Sequence, residues 1–177
     1  MGYSITSLKN LPKHLEYYFF LIGDYDNRTF INDFFRQEFN IIASRLGEDA
    51  GIIQQTRKSR IEEELSEAIK KLPFKGTNVS NFLDSVAVQY PGLLILKKHP
   101  DDLTDKDTII HIPFATLNKV YSDSEELLID LVKFTKGDQQ LMDKINVYIK
   151  KSKKVVSGLS IGFGINVGLF TINFQPK

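Results

Sequence analysis

Hydrophobic positions in this chain fall into short unbroken runs, separated by longer stretches in which apolar residues recur every three or four positions. Tyr17 to Ile22 is six apolar or aromatic residues in succession, stopped by Gly23 and Asp24. Aromatic content without alternation predicts a strand covered on both faces, at the centre of an α/β sheet. A turn follows over residues 23–29, where Asp26, Asn27 or Thr29 can cap the next helix. Phe30, Phe34, Phe35, Phe39, Ile42 and Ala43 then recur at helical spacing up to Gly47, placed as a helix-ending glycine should be. A short strand is predicted over Ala50 to Gln54, so that strand, helix and strand form one parallel unit with a right-handed crossover.

The clearest helix is Ser59 to Leu72, with Ile61, Leu65, Ala68, Ile69 and Leu72 on one stripe. Its acids cluster at the start and its lysines at the end, as the helix dipole favours. Pro73 and Gly76 break it, and a short helix fits residues 78–88. The next run, Leu93 to Leu96, starts just after Tyr90-Pro91 and ends at Lys97 and Lys98. Across a polar loop, His99 to Asp107, the segment Thr108 to Phe114 reads as its antiparallel partner. Alternation within that segment predicts His111 on a solvent face, opposite Ile110 and Ile112. Ser122 or Asp123 caps a helix carrying Leu127, Leu128, Leu131, Val132 and Phe134; Gly137 interrupts the pattern, and Leu141, Ile145 and Tyr148 resume it. Residues 1–16 read as a lead-in in which Ser4 or Thr6 caps a short helical turn. From Val155 the composition changes, and glycines at 158, 162, 164 and 168 would penalise a helix heavily. A glycine-rich β-hairpin is predicted there, dividing the chain into an α/β domain (1–154) and a hairpin tail (155–177).

Composition narrows the function classes. With 177 residues, 42% of them hydrophobic, thirteen Phe and seven Tyr, the chain can bury a full single-domain core. A net charge of +1 provides no global field toward nucleic acid, which is not an expected partner. There is no cysteine, so disulfides, thiolate metal sites, iron–sulfur clusters and a cysteine nucleophile are excluded. The first residues do not read as a secretory leader and no stretch reaches the length of a transmembrane helix, so a cytoplasmic location is the expectation.

The order strand, helix, strand, helix, proline-led strand, antiparallel partner and final helix resembles the thioredoxin-like fold over roughly residues 14–148. The resemblance is carried by Tyr17 to Gly23 as the central strand, by the turn from Gly23 to Thr29, and by Tyr90-Pro91 ahead of Leu93 to Lys98, where that family places a cis-proline. It implies an α/β fold with a central mixed sheet flanked by helices. Where redox-active members carry Cys-x-x-Cys, this chain has Asp24, Tyr25, Asp26 and Asn27, and disulfide exchange requires a thiolate. The resemblance therefore implies a redox-inactive, non-catalytic member that binds a protein partner or a second copy of itself, through a groove beside Tyr25, Asp26, Tyr90 and Pro91; the tail hairpin with Phe163, Leu169 and Phe170 is the other surface that could make this contact.

Other constellations are weaker. Asp24, Asp26 and Asp49 lack the glycine and terminal glutamate of a calcium loop and read as turn and capping residues. His14, His99 and His111 show no ligand spacing, and neither a metal nor a cofactor is expected. Ser160, between Gly158 and Gly162, is not read as a hydrolase nucleophile. An enzymatic reading with Asp24, Asp26 and His111 ranks last. Lys144, Lys150, Lys151, Lys153 and Lys154 could contact phosphates or anionic lipid, or simply form a solvated helix end. Joined to Phe163, Leu169 and Phe170 of the apolar tail, they make the alternative function: an effector that acts on a membrane surface.

Overall fold

A computed structural model describes residues 1–23, 30–55, 60–70, 91–104, 107–157 and 170–172. The strands are β1 (Gly2–Ile5), β2 (Tyr17–Ile22), β3 (Ala50–Gln55), β4 (Gly92–Leu96), β5 (Ile109–Pro113) and the three-residue β6 (Phe170–Ile172). The helices are α1 (Phe30–Gln37), α2 (Phe39–Arg45), α3 (Ile61–Lys70), α4 (Phe114–Val120), α5 (Ser124–Thr135) and α6 (Gln140–Ser157).

One mixed sheet has the order β1-β3-β2-β4-β5-β6. β3 runs parallel to both β1 and β2, pairing Ile52 with Gly2 on one side and with Phe19 on the other. β4 is antiparallel to β2, with Phe19 opposite Ile95 and Leu21 opposite Leu93, and antiparallel to β5, with Leu94 opposite His111. The run from Leu93 to Leu96 thus lies beside the central aromatic strand. β6 adds to the outer edge of β5, placing Phe170 opposite His111. This is an α/β fold with a mixed sheet between helices; of the predicted hairpin segment, residues 155–157 continue α6, Phe170–Ile172 form β6, and the rest lies outside the described residues.

Both faces of the sheet are covered, which is why β2 and β4 show no polar alternation. Tyr17, Phe19, Leu21, Ile52, Leu93 and Ile95 face α1, α2, α4, α5 and α6, in a core that includes Phe35, Leu117 and Leu131. Tyr18, Phe20, Ile53, Leu94 and Ile109 face the other way, against Ile61, Leu65 and Ile69 of α3 and the N-terminal Leu8, Leu11 and Leu15. His111 shares the parity of Ile109 and is fully buried, so the expected solvent face does not exist there.

Several local expectations also change. The helical segment expected as one piece is two, because Glu38 leaves the helical range (φ −99°, ψ 9°). The halves have different neighbours: Phe35 of α1 meets Phe114 of α4 at 5.6 Å, whereas α2 lies against β1, with Ala43 and Phe39 crowding Gly2. The lead-in contains β1, and Ser4 lies within it and accepts a hydrogen bond from Gln54. The helical turn comes later, at Leu8–Asn10, capped by Ser7. Phe114 begins α4 rather than ending a strand, and its N–H donates to the Pro91 carbonyl at 2.9 Å. Asp123 caps α5 as expected, its Oδ1 accepting from Glu125 N–H, and Gly137 (φ +89°) separates α5 from α6. The predicted cap Ser59 and the breakers Pro73 and Gly76 lie outside the described residues.

Candidate functional site

The residues that form the floor of the expected groove come from three elements. Gly23 ends β2 with φ +95°, a conformation that L side chains rarely adopt. A Cβ there would sit 2.6 Å from both Cα and Cβ of Pro91, so the glycine lets the end of the central strand touch the proline that opens β4. One residue on, a Cβ at Gly92 would meet His111 Nε2 at 2.5 Å and the Ile112 carbonyl at 2.6 Å. Close approach, rather than turn geometry, therefore requires glycine at 92. Glu62, in the acidic first turn of α3, accepts the Gly23 N–H at 2.8 Å. That bond satisfies the last donor of β2 and ties α3 to the strand end.

Of the groove residues read from the sequence, Pro91 is placed here and is half-buried. Tyr25, Asp26 and Tyr90 lie outside the described residues, as do Asp24 and the Tyr90–Pro91 bond, which includes Tyr90. Glu62 and Gly92 were not singled out in advance, although an acid at the start of a helix and a glycine directly after the proline were legible signals. The polar groups at this end serve the framework: Glu62 holds Gly23, and the Pro91 carbonyl holds Phe114. His111 is beneath Gly92 rather than on a surface, which removes it as the exposed base of the enzymatic reading.

The lysine run divides. Lys144 Nζ donates to Asp130 Oδ2 and to Glu126 Oε1, both at 2.6 Å, and stands 5.2 Å from the centre of the Tyr121 ring. The Tyr121 hydroxyl donates to the same Asp130 oxygen at 2.9 Å. Asp130 is 2% exposed, so this cluster clamps α5 to α6 and to the end of α4. Burial opposes the charge on Lys144, but its bonds to Asp130 and Glu126 prevail and hold its pKa above the ordinary lysine value. Burial, reinforced by Asp130, pushes the Tyr121 hydroxyl up strongly. Lys144 is thus committed to the fold, while Lys150 and Lys151 are exposed on α6. The side chains of Lys153, Lys154 and Phe170, and all of Phe163 and Leu169, lie outside the described residues.

Gly158, Ser160 and Gly162 do have the Gly-x-Ser-x-Gly spacing of a nucleophile elbow. An elbow needs a strand before the serine, whereas here a helix, α6, runs up to Ser157. Among the described residues no cluster of three or more His, Asp or Glu side chains could hold a metal ion. No described helix is long and apolar enough to cross a membrane. Comparison with protein-family models, with curated proteins and with solved structures finds no match to this chain.

Proposed function

We propose that this chain is a non-catalytic interaction module on a redox-inactive thioredoxin-like scaffold, and that it holds an extended segment of a protein partner, or of a second copy of itself. The groove lies over Gly23, Pro91 and Gly92; Tyr25, Asp26 and Tyr90, which the sequence assigns to it, lie outside the described residues. One observation carries the reading: the proline that opens β4 abuts the glycine that ends the central strand, within a sheet whose parallel strand–helix–strand unit is followed by an antiparallel pair. That is the order on which the resemblance rests. Such a strand end offers extended polypeptide a rigid floor, with affinity and selectivity resting on side-chain contacts, since the Gly23 N–H and the Pro91 carbonyl are held by Glu62 and Phe114. With no cysteine in the chain, this surface has binding and not disulfide exchange open to it.

The membrane-acting alternative keeps Lys150 and Lys151, but Lys144 is engaged by Asp130 and Glu126, which weakens it. Selection of displayed peptides against the full chain, followed by titration, tests the proposal. Saturable binding that is lost in Tyr90→Ala and weakened in Pro91→Ala, with far-UV circular dichroism unchanged, is the expected result. Binding indifferent to both changes, or no selected peptide together with a strictly monomeric chain by light scattering, contradicts it. Leakage of anionic vesicles without peptide binding would favour the alternative.

A further inference from the structure

At the opposite end of β2 lies a second concavity, which the proposed groove does not use. It is an open depression of about 480 Å³ between the segment entering β2 and the residues leaving β4, a size ordinary for small-molecule sites. We propose that it binds a small oxyanion, a carboxylate- or phosphate-bearing molecule, between His99 and Lys97.

The donor is His99. It lines the depression yet is 2% exposed, and its ring stands edge-on to Tyr18 with centroids 5.8 Å apart. Its Nδ1 accepts the Asp101 N–H at 3.2 Å and stands 3.6 Å from the Asp101 carboxylate, which leaves Nε2 as the ring's donor. That N–H has no acceptor among the described residues, and, since His99 lines the depression, it is available to donate to an oxygen bound there.

The charge is Lys97. Its ammonium stands 5.6 Å from the centre of the Tyr17 ring, which lines the same depression, and among the described residues no carboxylate pairs with it. The other lysines on the rim are already engaged. Lys98 holds Asp107 at 2.8 Å, and Lys13 makes long exposed contacts with Asp101 and Asp102 at 3.7 and 4.0 Å. Glu16 and Asp102 line the depression too, but both are exposed and Asp102 already faces Lys13. Lys97, with no carboxylate partner among the described residues, therefore lines the same depression as the His99 N–H donor, a combination that suits an anion with acceptor oxygens.

NMR titration of the full chain with inorganic phosphate, and separately with acetate, at ionic strength held constant with chloride, tests this. Saturable shifts of the His99 imidazole and the Lys97 side chain are expected, and the tighter probe identifies the group. Lys97→Gln should weaken that probe by about tenfold or more, the loss expected for one hydrogen bond to a charged group. His99→Asn should do the same, because an asparagine oxygen can still cap the Asp101 N–H while nothing reaches the place of Nε2. Lys97 is on the surface, so its variant stands alone if the histidine variant misfolds. Failure of both probes to saturate, wild-type affinity in Lys97→Gln, or an equal loss in a distant control, Lys136→Gln, would overturn the proposal.

Discussion

Replacing Gly23 with alanine strikes the junction on which the proposed groove rests, and its cost follows from the backbone. At φ +95° an L side chain is disfavoured by roughly 1–2 kcal/mol. The new methyl would also press on Pro91 Cα and Cβ at 2.6 Å and on its nitrogen at 3.3 Å, atoms of a backbone and a ring that cannot rotate away. Relief requires a shift at the start of β4, an overpacking cost of about 1–3 kcal/mol. Together these give roughly 2–5 kcal/mol. Gly47 and Gly137 separate the two contributions, since they have φ +84° and +89° but a methyl at either would find nothing within 4 Å. Alanine there meets only the conformational cost. Urea unfolding followed by far-UV circular dichroism should therefore place Gly23→Ala about 1–3 kcal/mol below Gly47→Ala and Gly137→Ala. In thermal melts each kcal/mol should appear as about 2–4 °C for a chain of this size. Equal midpoints for all three variants would mean that the methyl met nothing, and the contact between Gly23 and Pro91 would be refuted.

The clamp between α5 and α6 gives two ordered outcomes. Lys144→Met leaves the Asp130 carboxylate buried with Tyr121 alone and should cost about 3 kcal/mol, the low end of the range because the Lys144 side chain is 27% exposed. Tyr121→Phe removes one donor and should cost about 1–2 kcal/mol; urea melts that reverse this order would contradict the assignment of roles. Asp107 supplies a pH test. Burial alone would raise its pKa, but hydrogen bonds from Lys98 and Thr104 prevail and hold it below the ordinary aspartate value. A carboxylate with a depressed folded pKa contributes stability that is present above its unfolded pKa and lost as pH falls through the folded one. Asp107→Asn should thus be less stable than wild type at neutral pH and converge with it in acid; a constant gap in urea midpoints across that range would exclude the effect.

The sheet was legible because its strands are buried on both sides. Tyr17 to Ile22 and Leu93 to Leu96 have no polar alternation to mislead, and Pro91 and Gly23 punctuate them. The same double burial made His111 illegible, since a histidine in a strand reads as a solvent-facing residue unless the second core is known. β1 was missed because Gly2, Tyr3 and Ser4 carry too little apolar pattern; their pairing with β3 is a tertiary fact. α4 was missed because it starts at Phe114 without a break after β5, although Phe114, Leu117 and Tyr121 have helical spacing. The depression at His99 was invisible for a related reason. Lys13, Tyr17, Lys97 and His99 come together only once β2 and β4 are paired antiparallel, and the sequence around His99 reads as polar loop.

The central claim is that polypeptide binds at the Gly23–Pro91 end of the sheet. Amide chemical-shift mapping of the full chain with a selected peptide tests it most directly. The account predicts that the largest changes fall on Gly23, Gly92 and Glu62, with Lys150 and Lys151 on α6 undisturbed. Changes concentrated on α6, or on the β1 edge, would contradict it.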